Sequence, residues 1–441
     1  MKRFSGARVT VLGLGLHGGG VETVRYLHRH GATVTVTDLR SEAELRPSLD
    51  LIGNIAEKIV LGRHDPVDFT NSDFVVKNPA VPRHAPILGH AREIRSDISL
   101  FFERWSGPCI AVTGSKGKST VSSMIHHALL SFDSRSRLGG NITVSPLSFV
   151  DEISPDTPVV LELSSFQLGD LNLVASSGAP VKFAPHVSVI TNIFKDHQDY
   201  YQGNMEDYVR DKERIFETMP SDGTLVLGSD DSWADRFERS ATVPTLRASK
   251  QVVQGTPLAT GTPLEINRGI ALTALTAFGV DPLRAEQALS DFRGIEHRFE
   301  TVYDNGSLIV INDSASTVPE AALAAVRAAG NRTVLITGGT DKRLDIAPFR
   351  LVAASVDHFV LLEGSATRRI QALLDSMSVP YAGPYRNLSH AFRRALELCR
   401  ESDSRCILFS PGCASFELFA NEFDRGRQFK KLVESFQNDL H

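Results

Sequence analysis

The chain has 441 residues, of which 42% are hydrophobic and 22% charged, so it has apolar material for about three globular domains. Its net charge of -5 excludes a general basic surface for nucleic acid or anionic membranes. Its four cysteines lack paired metal-ligand spacing and are too few for a disulfide framework, which favours a reducing compartment. Because no apolar run reaches membrane-spanning length, we expect a cytoplasmic protein that binds neither nucleic acid nor membrane and requires no more than a monomer.

The first part of the chain alternates strand and helix patterns. The stretch ARVTVLGLG (7–15) indicates a buried strand, VETVRYLHRHG (21–31) a helix closed by Gly31, and ATVTVTD (32–38) a second strand. Such alternation predicts a parallel sheet with helices on its faces. We therefore expect a Rossmann-like domain over residues 1–105, up to the Gly-Pro interruption in WSGPC.

The glycine-rich turn after the first strand is open to three interpretations. Gly13 to Gly18 match G-x-G-x-x-G, and Asp38 ends the next strand, where a dinucleotide-binding protein places its ribose ligand. The turn fits NAD(P) or a flavin, and it also fits a tight bend that needs glycine for backbone reasons alone. It fits equally well the phosphates of another nucleotide, such as a UDP-linked substrate, at a helix N-terminus. We favour this last interpretation.

A second turn, AVTGSKGKST, predicts an ATP site. It lies between a strand pattern and a helix pattern, as a phosphate loop must, although its glycines are closer together than in the usual G-x-x-x-x-G-K-[ST] loop. Gly114 and Gly117 let backbone N–H groups turn towards phosphate, and Lys118 can reach the terminal phosphates. Ser119 or Thr120 can offer a hydroxyl to Mg²⁺. The alternative is a solvated lysine–glycine turn.

A third run of strand and helix patterns begins after HRFE. Strand patterns occur in SLIVIND, RTVLITGG, HFVLLEG and RCILFSPG, with helical stretches between them. We therefore predict an α/β protein of three domains. These are an N-terminal Rossmann-like UDP-binding domain (1–105), a central P-loop ATPase-type domain with a mostly parallel sheet (106–298) and a C-terminal Rossmann-like, amino-acid-binding domain (299–441).

Ordered motifs along the whole chain resemble those of the Mur ligases. They are TGSKGKST, GGN, ELSSFQL, NIFKDHQDYY, DKERI, EHRFE, INDSAST, GGTDK and SPGCASFELF. TGSKGKST is shared by the wider family, folylpolyglutamate synthases included, whereas ELSSFQL and SPGCASF are more specific. The resemblance implies an ATP-dependent ligase of peptidoglycan precursor synthesis. It implies that D-glutamate is added to UDP-N-acetylmuramoyl-L-alanine (UDP-MurNAc-L-Ala) through an acyl phosphate intermediate.

The resemblance also implies which residues carry the chemistry. Lys118 would hold the β- and γ-phosphates, and two Mg²⁺ ions would be held by Ser119, Glu162, His197 and a carbamate that Lys212 forms with CO₂. Two features of the residues agree with this: a carboxylate at the end of an apolar strand is costly unless it binds a cation, and only a neutral lysine reacts with CO₂. The alternatives are an ion pair for Glu162, a helix cap for His197 and a salt bridge for Lys212.

The same matching assigns binding subsites. ATP would contact Gly114, Ser115, Lys116, Gly117, Lys118, Ser119, Thr120, Asn267, His297, Arg298 and Asp313. The other substrates would contact Leu16, His17, Asp38, Leu39, Arg40, Asn78, Asn141, Gln167, Lys342, Ser415 and Phe423, the last three near glutamate. For Arg298, whose forked donors suit a phosphate, the alternative is an ion pair at a domain interface.

Some positions depart from the pattern of relatives. Ala315 stands where some have lysine, Ile270 where some have asparagine, and His17 where many have threonine, while NEFDRG places the aromatic residue at Phe423. We expect these differences to alter individual contacts with the substrates and to leave the reaction unchanged. The alternatives are a sibling Mur ligase that adds another amino acid such as L-glutamate, an NAD(P)-dependent oxidoreductase and a non-catalytic nucleotide-binding switch.

Overall fold

A computed structural model separates the chain into two compact units, Met1–Phe292 and Arg293–His441. The described residues are 3–16, 18–141, 144–179, 181–197, 200–250, 252–253, 256–257, 263–292, 294–330, 332–341, 345–415, 417–419 and 421–438. The predicted α/β class is confirmed, with an N-terminal, a central and a C-terminal sheet. No helix among these residues is long and apolar enough to cross a membrane.

The N-terminal sheet has five strands, all of them parallel. Its strands are β1 (Arg8–Leu12), β2 (Thr33–Asp38), β3 (Lys58–Leu61), β4 (Phe74–Lys77) and β5 (Ile94–Arg95), in the order β3-β2-β1-β4-β5. The helices around it are α1 (Gly19–Arg29), α2 (Glu42–Ile52), α3 (Pro66–Thr70) and α4 (Asp97–Arg104). The glycine turn follows β1, and the neighbouring strands β2 and β4 end beside it at the same edge of the sheet.

The central sheet has six parallel strands. In chain order the elements are β6 (Cys109–Thr113), α5 (Lys118–Leu130), β7 (Arg137–Gly140), β8 (Val159–Glu162), α6 (Ser165–Ser176), β9 (Val187–Ile190), α7 (Met205–Glu217), β10 (Thr224–Leu227), α8 (Ser232–Ser240) and β11 (Thr245–Arg247). A short antiparallel pair follows, β12 (Val252–Val253) and β13 (Thr256–Pro257), and then α9 (Pro263–Ala277) and α10 (Pro282–Ser290).

The strand order β11-β10-β9-β6-β8-β7 decides where a site can form. Strand β6 lies between β9 and β8, with Val112 opposite Glu162 and Thr113 opposite Ile190. All residues of β6, β8 and β9 are buried, as expected of strands covered on both faces. Because parallel strands end at one edge, the segments after these three strands meet there, although they are far apart in sequence.

The second unit contains a six-stranded sheet that is parallel except at one edge. Its elements are β14 (Glu300–Asp304), β15 (Ile309–Asn312), α11 (Pro319–Ala329), β16 (Thr333–Thr337), α12 (Pro348–Ala353), β17 (His358–Leu362), α13 (Ser365–Ser376), β18 (Tyr381–Tyr385), α14 (Leu388–Glu401), β19 (Cys406–Phe409) and α15 (Glu422–Asn438). The order is β14-β15-β19-β16-β17-β18, and β14 is the antiparallel strand. The predicted domain boundaries after residues 105 and 298 stay predictions.

Candidate active site

The glycine turn after β1 lets helix α1 approach the strand closely. A Cβ atom at Gly20 would lie 2.2 Å from the carbonyl oxygen of Leu14, so this position, two residues beyond the predicted motif, excludes any side chain. The Asp38 carboxylate accepts hydrogen bonds from the backbone N–H of Gly15 (3.1 Å) and of Arg40 (2.9 Å). Asp38 therefore supports the turn itself, which sequence reasoning did not anticipate.

The other predicted contacts of the first sheet surround the same turn. Asn78 follows β4 and its Cβ lies 3.0 Å from the position that a Cβ on Gly13 would occupy. Leu39 is largely exposed and Leu16 partly buried, so both offer apolar surface beside the turn. His17 lies outside the described residues.

The phosphate loop is held by the segment that follows β9. Thr191 donates to the carbonyl of Lys116 (2.6 Å), and the Asn192 side-chain oxygen accepts from the Lys116 N–H (2.9 Å). Ser115 lies 2.8 Å from the Tyr208 hydroxyl and accepts from the N–H of Phe194 at the same distance. Sequence reasoning missed these supporting residues, although Asn192 opens one of the matched motifs.

Helix α5 begins at the loop and presents its N-terminus there. Gly117 is the N-cap of the helix, with φ 83°. A Cβ on Gly117 would lie 2.6 Å from the side-chain oxygen of Asn267, so Asn267, a predicted ATP contact, lies at the loop. Ser119 and Thr120 are partly buried in the first turn of α5. Unpaired N–H groups and the helix dipole make such an N-terminus favourable for phosphate.

Two lysines converge on one backbone oxygen of the loop. The Nζ of Lys118 donates to the carbonyl of Gly114 (3.0 Å), and so does the Nζ of Lys212 (2.9 Å), which arrives from helix α7. Two ammonium groups sharing one acceptor repel each other, so the arrangement favours either an anion between them or a neutral lysine.

Lys212 is the buried member of this pair. Its side chain is 1% exposed, and its Nζ also bonds Thr113 (3.3 Å) and lies 4.7 Å from the ring centre of Tyr208. Burial lowers the pKa of Lys212 well below its usual value, and the positive charge of Lys118 lowers it further. Among the described residues its hydrogen bonds go to a hydroxyl and a carbonyl, so the salt-bridge alternative finds no support there.

Glu162, at the end of β8, has one satisfied and one unsatisfied carboxylate oxygen. Its Oε1 accepts from Asn141 Nδ2 (2.8 Å), whereas Oε2 is buried and has no hydrogen-bond partner among the described residues. An unpartnered buried carboxylate oxygen is costly, and it fits a cation such as Mg²⁺. The described ranges contain no group of three or more His, Cys, Asp or Glu side chains that could hold a metal, so any metal site at Glu162 would need oxygen ligands of other kinds to complete it.

His197 lies beside the lysines in a left-handed backbone conformation, φ 51°. Its ring packs 4.8 Å from the ring centre of Phe166 in α6 and is partly exposed. Burial lowers the pKa of His197, and Lys118 and Lys212 lower it further, against the opposite effect of Asp196. A neutral imidazole is the form that binds a metal.

Gln167 has a structural task near this site. It is buried, and its side-chain oxygen accepts from the N–H of Ser164 (3.1 Å) in the capping box at the start of α6. The side chain of Gln167, predicted to contact substrate, therefore already stabilises the helix terminus through its oxygen.

The second unit gathers its own predicted residues around β15. His297 is buried, and its Nδ1 lies 2.9 Å from the amide nitrogen of Asn312. Asp313 accepts from the N–H of Phe299 (3.0 Å) and from Ser410 (2.7 Å), while Arg298 is exposed.

The predicted glutamate contacts partly fall on the described residues. Ser415 is buried, and its hydroxyl has no hydrogen-bond partner among them; Phe423 lies 6.4 Å, ring centre to ring centre, from His297. The fully buried Arg425, which sequence reasoning missed, donates to the carbonyl of Ser314 (2.8 Å) and to the carbonyl of Cys413 (3.2 Å), two residues before Ser415. Lys342 lies outside the described residues.

Two family models and several known proteins match this chain. Family models match residues 7–99 (Mur ligase MurD-like, N-terminal domain) and residues 112–254 (Mur ligase middle domain). A UDP-N-acetylmuramoylalanine–D-glutamate ligase from Borreliella afzelii is 40% identical over 96% of this chain and 97% of the relative. The enzyme of the same name from Treponema pallidum is 36% identical over 97% of each chain.

A solved structure shares the fold. The UDP-N-acetylmuramate–alanine ligase MurC from Thermotoga maritima aligns with a TM-score of 0.56 and 19% identity, covering 98% of this chain and 100% of that one. At this identity the likeness concerns the fold alone.

Proposed function

The chain belongs to the Mur ligases, and from that premise we propose that it joins D-glutamate to UDP-N-acetylmuramoyl-L-alanine while ATP is converted to ADP and phosphate. The relatives at 40% and 36% identity carry the name of that ligase over nearly the whole chain. The matched ranges 7–99 and 112–254 lie within the first two proposed domains, 1–105 and 106–298, with 299–441 as the third. We also propose a cytoplasmic monomer.

The observation that carries this proposal is the convergence of Lys118 and Lys212 on the carbonyl of Gly114. Transfer of the γ-phosphoryl group to a carboxylate is accelerated mainly by positioning and charge neutralisation. Lys118 at the N-terminus of α5 would neutralise the β- and γ-phosphates and hold them in line with the acceptor carboxylate. The substrate acid then becomes an acyl phosphate, whose phosphate the amine of glutamate displaces.

The metal-binding residues would be Ser119, Glu162, His197 and carbamylated Lys212, around two Mg²⁺ ions. Mg²⁺ would neutralise the charge that develops on the transferring phosphoryl group. Lys212 is suited to carbamylation because burial and Lys118 favour its neutral amine, the form that reacts with CO₂.

The second unit carries the remaining predicted binding residues. Arg298, exposed and forked, suits a nucleotide phosphate, and Asp313 near it suits a ribose hydroxyl. The unsatisfied hydroxyl of Ser415 suits the carboxylate of glutamate, with Lys342 as its cation. In the first unit, Leu39, Arg40 and Asn78 would hold the uridine diphosphate.

Phosphate release from ATP tests this proposal. We expect release only when UDP-N-acetylmuramoyl-L-alanine and D-glutamate are both present, and none with L-glutamate or a diamino acid in place of D-glutamate. Lys212→Ala should abolish release, and a small carboxylate such as formate should restore part of it by replacing the carbamate. A wild-type protein that releases no phosphate with all three substrates would refute the proposal. Activity with another amino acid would favour the sibling ligase.

A further inference from the structure

Two ion pairs, one buried and one partly exposed at its arginine, attach one loop of the N-terminal sheet to helices of the central sheet. The Nζ of Lys77, the last residue of β4, lies 2.7 Å from Asp170 in α6, with both side chains at most 2% exposed. Six residues later, Arg83 binds Asp211 in α7 through two hydrogen bonds of 2.8 and 2.6 Å. We call these two pairs the loop clamp, because they hold both ends of the segment 77–83.

Helix α6 leaves room for the second pair at a cost to its own stability. A Cβ on Gly169 would lie 2.5 Å from Nη1 of Arg83 and 2.6 Å from Cγ of Asp211. A glycine inside a helix is about 1 kcal/mol less favourable than alanine. Here the missing side chain admits the guanidinium, which also donates to the Gly169 carbonyl at 3.2 Å.

The clamp links two parts of the site that are distant in sequence. Lys77 also donates to the carbonyl of Asn78 (3.1 Å), so it fixes the loop at a proposed substrate contact. Asp211 directly precedes Lys212 in α7 and accepts from the Tyr201 hydroxyl (2.7 Å), four residues after His197. The clamp therefore ties the loop to the segments that carry Lys212 and His197, two of the four proposed metal-binding residues.

Stability alone does not account for a buried pair such as Lys77–Asp170. Replacing a buried ion pair by apolar side chains of similar volume is often neutral or stabilising, because desolvation offsets the attraction between the charges. In some proteins a directed pair fixes the relative placement of two elements, and reacting groups misplaced by 1 Å can lose about 100-fold in rate.

We propose that the loop clamp positions the acceptor carboxylate for phosphoryl transfer, by holding the segment 77–83 against the helix that carries Lys212. Lys77, Arg83, Asp170 and Asp211 are then positioning residues for the reaction, not ligands of the substrate. This inference rests on the proposed ligase function.

The test replaces one pair by apolar residues, in the double variant Arg83→Met/Asp211→Leu. The matched control is Arg236→Met/Glu213→Leu, because Arg236 also binds a carboxylate of α7 through two hydrogen bonds (2.9 and 3.1 Å), but from α8 rather than from the loop. We expect kcat of the clamp variant to fall about 10- to 100-fold, with the KM for ATP within about twofold of wild type. The control should keep its kcat, and Arg83→Lys should recover part of the lost rate.

Calorimetric binding of a non-hydrolysable ATP analogue checks that each variant is folded. If the double variant fails this check, Gly169→Ala takes its place, because it displaces the pair and leaves both charges intact. Wild-type kcat in the folded variant, or an equal loss in the control, would overturn the inference and leave the proposed function standing. A wild-type protein without ligase activity would overturn both.

Discussion

Replacing Glu162 by glutamine should make the ligand-free protein more stable and the enzyme nearly inactive. The side chain is 2% exposed, its Oε1 accepts from Asn141, and its Oε2 is buried without a partner among the described residues. Glutamine has the same shape and keeps the bond from Asn141. It replaces an unsatisfied charged oxygen by a neutral amide, which is less costly to bury.

The expected gain in stability can be converted into a change in Tm from the number of residues in the unit that contains Glu162. Unsatisfied buried polar groups cost about 1–3 kcal/mol, and charged ones more, so we expect a gain of about 1 kcal/mol for the variant. For a unit of 292 residues the entropy of unfolding is about 0.6 kcal/mol per kelvin, which converts this gain into a rise of about 2 °C in Tm. Loss of the carboxylate should lower ligase turnover at least 100-fold, about the effect of removing one group that stabilises transition-state charge.

Thermal unfolding followed by tryptophan fluorescence measures the effect, since both tryptophans, Trp105 and Trp233, lie in the first unit. Mg²⁺ with a non-hydrolysable ATP analogue, at about 100 times its Kd, should stabilise the wild type by about 2.7 kcal/mol. The variant should gain much less, so the order of the two Tm values should reverse. A variant that is less stable without ligand, or that gains as much from Mg²⁺ as the wild type, would refute the reasoning.

Three further outcomes are expected. Gly20→Ala should destabilise the protein by about 1–3 kcal/mol in urea unfolding, because its methyl group would overlap the Leu14 carbonyl; an unchanged midpoint would contradict this. Burial raises the pKa of Asp97 from 3.8 to about 6, so the folded state binds this proton more tightly than the unfolded state. This stability contribution is complete below about pH 4 and is lost as the pH rises through 6. The free energy of unfolding of Asp97→Asn should therefore rise by up to about 3 kcal/mol relative to that of the wild type between pH 4 and 7. Parallel profiles of unfolding free energy against pH for the two proteins would contradict this expectation. Ser415→Ala should change stability by no more than about 0.5 kcal/mol, because its hydroxyl has no partner among the described residues, yet raise the KM for D-glutamate; an unchanged KM would remove Ser415 from the glutamate pocket.

Local patterns predicted the strands and the two glycine turns well. The β-branched and apolar runs before Gly13 and before Gly114 became β1 and β6, since a fully buried parallel strand needs a nearly continuous apolar run. The helix after each turn follows from the same local rules, and Gly31, with φ 86° directly after the C-cap His30, closes α1 as predicted. The position of the glycine needed for close packing was less predictable, because it depends on contact between Gly20 and Leu14 in three dimensions.

The sequence by itself determined the chemistry available: a phosphate loop with Lys118, a carboxylate after an apolar strand, and a lysine on an amphipathic helix. Only the tertiary structure decided which of these groups meet. Lys118 and Lys212 share the Gly114 carbonyl, and Arg83 reaches Asp211 across 128 positions of the chain. The reason is physical: parallel strands bring the ends of distant segments to one edge, and burial there changes the pKa of a lysine in a way that no neighbouring residue in the sequence reveals.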